Sequence, residues 1–178
     1  ILYKGDRYGY DYKMLYSAAD AWMQSEVKGK KVDLVAGMHF SKQTFYRKGL
    51  IRNGLFPNHS KGNATTKHFF NPMFKMALTR KLTAYHSLLF SIAAGSRAPL
   101  AENVYLSPRM RHTQQDTIRS EKIIAAEWMY RYVSKKIHFR ISAYYALIQD
   151  GMNVLTFYHD GYRNFVNYAI RGIDKRHT

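Results

Sequence analysis

The side chains best equipped for chemistry in this chain are its cations. Lys28, Lys30, Lys31, Lys42, Arg47, Lys48, Arg52, Lys61 and Lys67 are interleaved with Phe40, Phe45, Tyr46 and His59. A second group comprises Lys75, Arg80, Lys81, Arg97, Arg109 and Arg111. Lysine and arginine neutralise phosphates, and aromatic rings beside them stack on unpaired bases. The pattern therefore predicts an RNA- or phosphate-binding surface carried by the first group together with Arg97, Arg109 and Arg111.

Catalytic chemistry finds no comparable support. The chain has no Gly-rich phosphate loop, no G-x-S-x-G and no H-E-x-x-H. The histidines (His39, His59, His68, His86, His112, His138, His159, His177) are dispersed, with no pair three or four residues apart. Local spacing thus predicts no metal site. The acidic residues form no close pair that would split into acid and base. With no cysteine, disulfides and thiolate chemistry are excluded within the chain. The expectation is a non-catalytic protein without cofactor or metal.

The bulk charge points the same way. Twenty-eight Lys and Arg against 12 Asp and Glu give a net charge of +16, and the pI is about 10.0. Such an excess favours a polyanionic partner, for which nucleic acid is the first candidate and anionic lipid the second. Fifteen Tyr and ten Phe suit base stacking, and they suit protein interfaces equally. No apolar run reaches the length of a transmembrane helix. The chain starts at Ile1, for which a cleaved organelle-targeting peptide and a simple chain boundary are both explanations.

The elements that would position these cations read as mainly α, a small helical core with long basic loops and extended termini. Residues 1–10 form a Tyr- and Gly-rich arm, 11–170 a single mainly helical domain, and 171–178 a basic tail. Tyr12, Leu15, Ala19, Trp22 and Met23 recur at helical spacing before Gly29. Asn71-Pro72 caps a helix that runs to about Ala94. Thr113 to Asp116 resembles a capping box ahead of Ile124, Trp128, Tyr132, Ile137, Ile141 and Tyr145. Loops fall at 55–71 and 96–112. Between 137 and 170 two patterns compete. Ile137, Phe139 and Ile141 alternate as in a strand, and Asp160-Gly161 is a hairpin dipeptide, so a C-terminal β-hairpin is the alternative to a helix there.

One stretch carries a family likeness. Val32-Asp-Leu-Val-Ala-Gly37-Met-His-Phe-Ser41-Lys-Gln-Thr-Phe-Tyr46-Arg47 resembles the helix-turn-helix of tetracycline-repressor-like regulators. His39 and Phe40 are extra residues within its turn. The resemblance implies that Ser41, Lys42, Gln43, Thr44, Tyr46 and Arg47 face DNA in the major groove.

Three functions follow as expectations. The first is an RNA-binding subunit of a ribosome or ribonucleoprotein of mitochondrial type, surrounded by protein neighbours. The second is an accessory subunit of a mitochondrial inner-membrane respiratory complex or ATP synthase, meeting anionic lipid and membrane-complex subunits. The third is the DNA-binding regulator. The first two place the chain in the mitochondrial matrix or on the matrix face of the inner membrane.

Overall fold

A computed structural model describes residues 9–116 and 118–177. The expected helices are absent from these residues, and antiparallel strands stand in their place. The strands are β1 (Tyr12–Lys28), β2 (Val32–Gly49), β3 (Gly62–Asn63), β4 (Lys67–Lys81), β5 (His86–Arg97), β6 (Glu121–Val133), β7 (His138–His159) and β8 (Asn164–His177). They form one sheet in the order β1-β2-β4-β5-β6-β7-β8, with β3 added beside β2. Apart from β3, every strand pairs with its neighbour in sequence, so the chain is an up-and-down meander with open edges at β1 and β8.

Most of these strands are long. β1, β2 and β7 hold 17, 18 and 22 residues, whereas strands of soluble domains usually hold three to ten. Their connections fall into two classes. Short turns join β1 to β2 (29–31), β4 to β5 (82–85) and β6 to β7 (134–137) at one end of the sheet. The long connections 50–66 and 98–120 lie at the other end, with the turn Asp160–Tyr162.

Register decides which side chains share a face, because successive residues of a strand point to opposite sides. Trp128 pairs with Phe90 on β5 and Ala143 on β7. Leu78 pairs with Phe90 and with Leu34. These residues and their i±2 neighbours share what we call the outer face. The inner face is the one over which the long connections fold. There Phe45 and Phe69 stack at 5.3 Å and bury Ala64, Val104 and Tyr105 with them.

The helices expected before Gly29, from Pro72 to about Ala94 and after the Thr113–Asp116 capping box are thus replaced by β1, β4 with β5, and β6 with β7. Pro72 lies inside β4, and the chain reverses at 82–85 instead of running unbroken to about Ala94. The helix-turn-helix likeness fails for the same reason. Val32 to Arg47 is one uninterrupted strand, which sends Ser41, Gln43 and Arg47 to one face and Lys42, Thr44 and Tyr46 to the other. Thr113 to Asp116 lies within the connection 98–120, where Gln114 donates to the Thr65 carbonyl at 2.6 Å. Most of the expected arm, residues 1–8, lies outside the described residues. The expected tail belongs to β8 through His177. The β-hairpin alternative is the arrangement observed between β7 and β8, which pair Tyr158 with Phe165 across Asp160-Gly161.

Candidate functional site: two sheet faces and a loop clasp

The outer face carries an apolar band without a formal charge. Met23 on β1, Leu34 and Met38 on β2, and Phe74, Met76 and Leu78 on β4 belong to it. It continues through Leu88, Phe90 and Ile92, then Ile124 and Trp128, then Ile141 and Tyr145. Trp128 is 46% exposed, Phe90 47% and Met23 64%. At about 3.4 Å per residue, the run from Ile124 to Tyr132 is roughly 27 Å long. An apolar surface of this extent is foreign to a monomer in water. Polar residues border it: Lys42, Ser96, Lys122 and Gln149 toward the long connections, and Arg80 toward the short turns. Tyr130, Tyr132 and Phe139 gather near the short turns, where the Tyr130 hydroxyl and His86 Nδ1 are hydrogen-bonded at 2.6 Å.

Opposite this band, the inner face is polar and charged. Asp20, Glu26, Lys75, Glu127 and Arg140 lie on it, separated by small residues such as Gly37, Ser91 and Ala125. His39 Nε2 lies 3.1 Å from Asp20 Oδ1. Lys81 Nζ meets Asp33 at 2.7 Å, and Arg97 pairs with Glu121. Not every inner residue is polar, for Trp22, Tyr16 and Met73 also lie there and are exposed.

Arg47 organises the end with the long connections. It is 1% exposed and donates from Nη1 to the Ser60 carbonyl at 2.8 Å and to His112 Nδ1 at 2.9 Å. Its Nε donates to the Pro108 carbonyl, and its guanidinium lies 5.1 Å from the Tyr12 ring centroid. The Arg47 amide donates to the Tyr105 hydroxyl at 2.9 Å. Gly49 permits the approach, since a Cβ there would lie 1.7 Å from the Ser60 carbonyl oxygen. Because His112 accepts at Nδ1, its Nε2 donates to the Lys61 carbonyl at 3.2 Å. Desolvation, with the neighbouring Arg47 charge adding to it, lowers the His112 pKa below the usual imidazole value.

The cations expected to form one phosphate-binding surface are dispersed. Lys30 and Lys31 occupy a short turn, and Lys28 beside them pairs with Glu26 at 3.2 Å. Lys42 and Lys48 lie on the outer face toward the long connections, while Arg52 and Lys61 belong to the connection 50–66 and Lys67 opens β4. Arg97 pairs with Glu121, and Arg47 is buried. Arg109 stacks on Tyr10 at 5.4 Å, and Arg111 on Phe56 at 4.8 Å. The outer apolar residues were absent from the expected site, although their period of two is present in the sequence, as in Leu88, Phe90, Ile92 and Ala94.

The fold is shared with a copper transporter. The solved structure of the copper transporter OprC is similar over 92% of this chain, with a TM-score of 0.68 and 17% sequence identity. The match takes in 25% of that protein, so this chain spans about a quarter of its length. No protein-family model and no curated protein sequence matches the chain.

This likeness and the all-β sheet overturn the three functional expectations and the expected location. A ribosomal or ribonucleoprotein subunit and a respiratory or ATP synthase accessory subunit were both inferred for a helical frame, and the described residues form an antiparallel sheet in its place. The DNA-binding regulator falls with its helices. The mitochondrial location expected with the first two readings falls with them.

Proposed function

We propose that this chain forms part of the wall of a transmembrane β-barrel that belongs to a transport protein. The observation that carries the reading is the uncharged apolar band on one face of consecutive antiparallel strands, backed by a polar face. Transmembrane barrels require this alternation, with apolar residues toward lipid and polar residues toward the lumen, over a band about 25 Å tall. Among the described residues no helix is long and apolar enough to cross a membrane. Strands can cross, provided that the barrel closes and satisfies its edge hydrogen bonds. Here β1 and β8 are the edges, and further strands would have to pair with them.

Short turns at one end and long connections at the other match the asymmetry of outer-membrane-type barrels, whose longer loops face outward. On this reading the chain acts without catalysis, and its work is to seal against lipid and to line a passage. The Arg47 clasp holds the connections 50–66 and 98–120 over one mouth of that passage.

The test uses single cysteines in the intact protein, to which this chain contributes no competing thiol. Spin labels at 88 through 92 and at 124 through 130 are probed with oxygen, which concentrates in lipid, and with a water-soluble nickel chelate. Oxygen collisions should peak at 88, 90, 92, 124, 126, 128 and 130, and nickel collisions at the residues between. Loss of that two-residue period would sink the barrel reading.

A further inference from the structure

A cationic recess opens at the short-turn end of the sheet, between the β1–β2 and β4–β5 turns. It encloses about 440 Å³ and is lined by Lys30, Lys31, Arg80, Lys81 and Leu82 among others. Lys81 is already committed, since its Nζ donates to Asp33 at 2.7 Å and to the Gly29 carbonyl at 3.1 Å. Its amide bonds to the Lys31 carbonyl at 2.8 Å, which joins the two turns. Among the described residues, no side-chain hydrogen bond or ion pair engages Lys30, Lys31 or Arg80. Like charges brought this close repel one another unless an anion sits between them.

The position of the recess narrows the choice of anion. Arg80 pairs with Val32 and Leu88, so it stands on the outer face at the edge of the apolar band. Leu82, 47% exposed, lines the same recess. A soluble anion has no use for the apolar rim. A lipid phosphate has acyl chains beneath it that would lie on Val32, Leu78 and Leu88. We infer that Lys30, Lys31 and Arg80 bind the phosphate of an anionic phospholipid in the leaflet at the short-turn end. This inference rests on the barrel reading.

The intact protein is reconstituted into phosphatidylcholine vesicles and, separately, into vesicles containing phosphatidylglycerol. It is then extracted in mild detergent, and retained lipid is counted by native mass spectrometry. The wild type should retain phosphatidylglycerol over phosphatidylcholine. Each neutralising change, Lys30→Gln, Lys31→Gln or Arg80→Gln, should weaken retention about fivefold. Arg80→Lys, which keeps the charge, should restore most of it and controls for misfolding. Lys13→Gln and Lys48→Gln, at the opposite end, should leave retention unchanged. Equal retention by wild type and the triple Gln variant overturns the site. So does competition by inorganic phosphate that is as effective as the lipid, since that would assign a soluble anion. A protein that never inserts into either vesicle refutes the barrel itself and is read separately by flotation.

Discussion

The Arg47 guanidinium donates to His112 Nδ1 at 2.9 Å, and this contact fixes His112 as a neutral imidazole. A protonated ring carries a hydrogen on Nδ1 and would face the guanidinium with like charge. The ring therefore accepts from Arg47 and donates through Nε2 to the Lys61 carbonyl. One imidazole links β2, the connection 50–66 and the connection 98–120, and it does so only while uncharged.

Acid should open this clasp. Because the His112 pKa is lowered in the folded state, chiefly by desolvation, the unfolded or open loop binds a proton more readily. The stabilisation is complete above the ordinary imidazole value of about 6.5. It falls as pH drops through that value and is fully lost below the depressed folded one. Amide protection factors in 50–66 and 98–120, which divide out the base-catalysed slowing of exchange itself, should fall as pH drops below about 6.5. His112→Gln, whose amide can accept and donate, should flatten this dependence. Unchanged protection factors in the wild type would refute the linkage.

Removing the Arg47 side chain should release the same loops at neutral pH. Arg47→Ala leaves the carbonyls of Ser60 and Pro108 without their charged donor. Charged hydrogen bonds of this kind contribute about 1.5–3 kcal/mol each, and their loss is not additive. Arg47→Lys should recover little, because an ammonium cannot serve divergent acceptors as a planar fork does. Proteolysis within 98–120 reads the effect, while the strand pairs of β5 to β7 should stay protected. Wild-type resistance in Arg47→Ala would remove the clasp from the account.

Neighbouring residues on one strand should respond oppositely to charge. Trp128→Lys places an ammonium in the middle of the outer band and should cost about 2–4 kcal/mol of folding stability in vesicles. Glu127→Lys, on the inner face, should change it by less than about 1 kcal/mol. Urea titrations of folding into vesicles measure both. Similar costs at the two positions would contradict the assignment of faces.

The helical expectation failed for a geometric reason. Ile124, Trp128 and Tyr132 are four residues apart, as are Ile137, Ile141 and Tyr145, and Leu15, Ala19 and Met23. A spacing of four nearly completes a helical turn and is also an even number, so it satisfies both a helix face and a strand face. The positions between could have separated the two. On the inner face those positions hold Ala125, Ser142 and Ser91, small residues that suit a helix as readily as a strand. Where large residues alternated strictly, from Ile137 in the turn to Phe139 and Ile141 in β7, a strand stood as the alternative to a helix, as did the hairpin at Asp160-Gly161.

Sequence alone determined the cation excess, the absence of thiols and the richness in Tyr and Phe. Tertiary structure decided what those residues are for. Arg47 reads as a phosphate contact until the fold buries it among carbonyls from two distant connections. Trp128 reads as one face of a helix until pairing sets it beside Phe90 on one exposed sheet face. Both assignments depend on register between strands, and register couples residues far apart in the chain that no local spacing records.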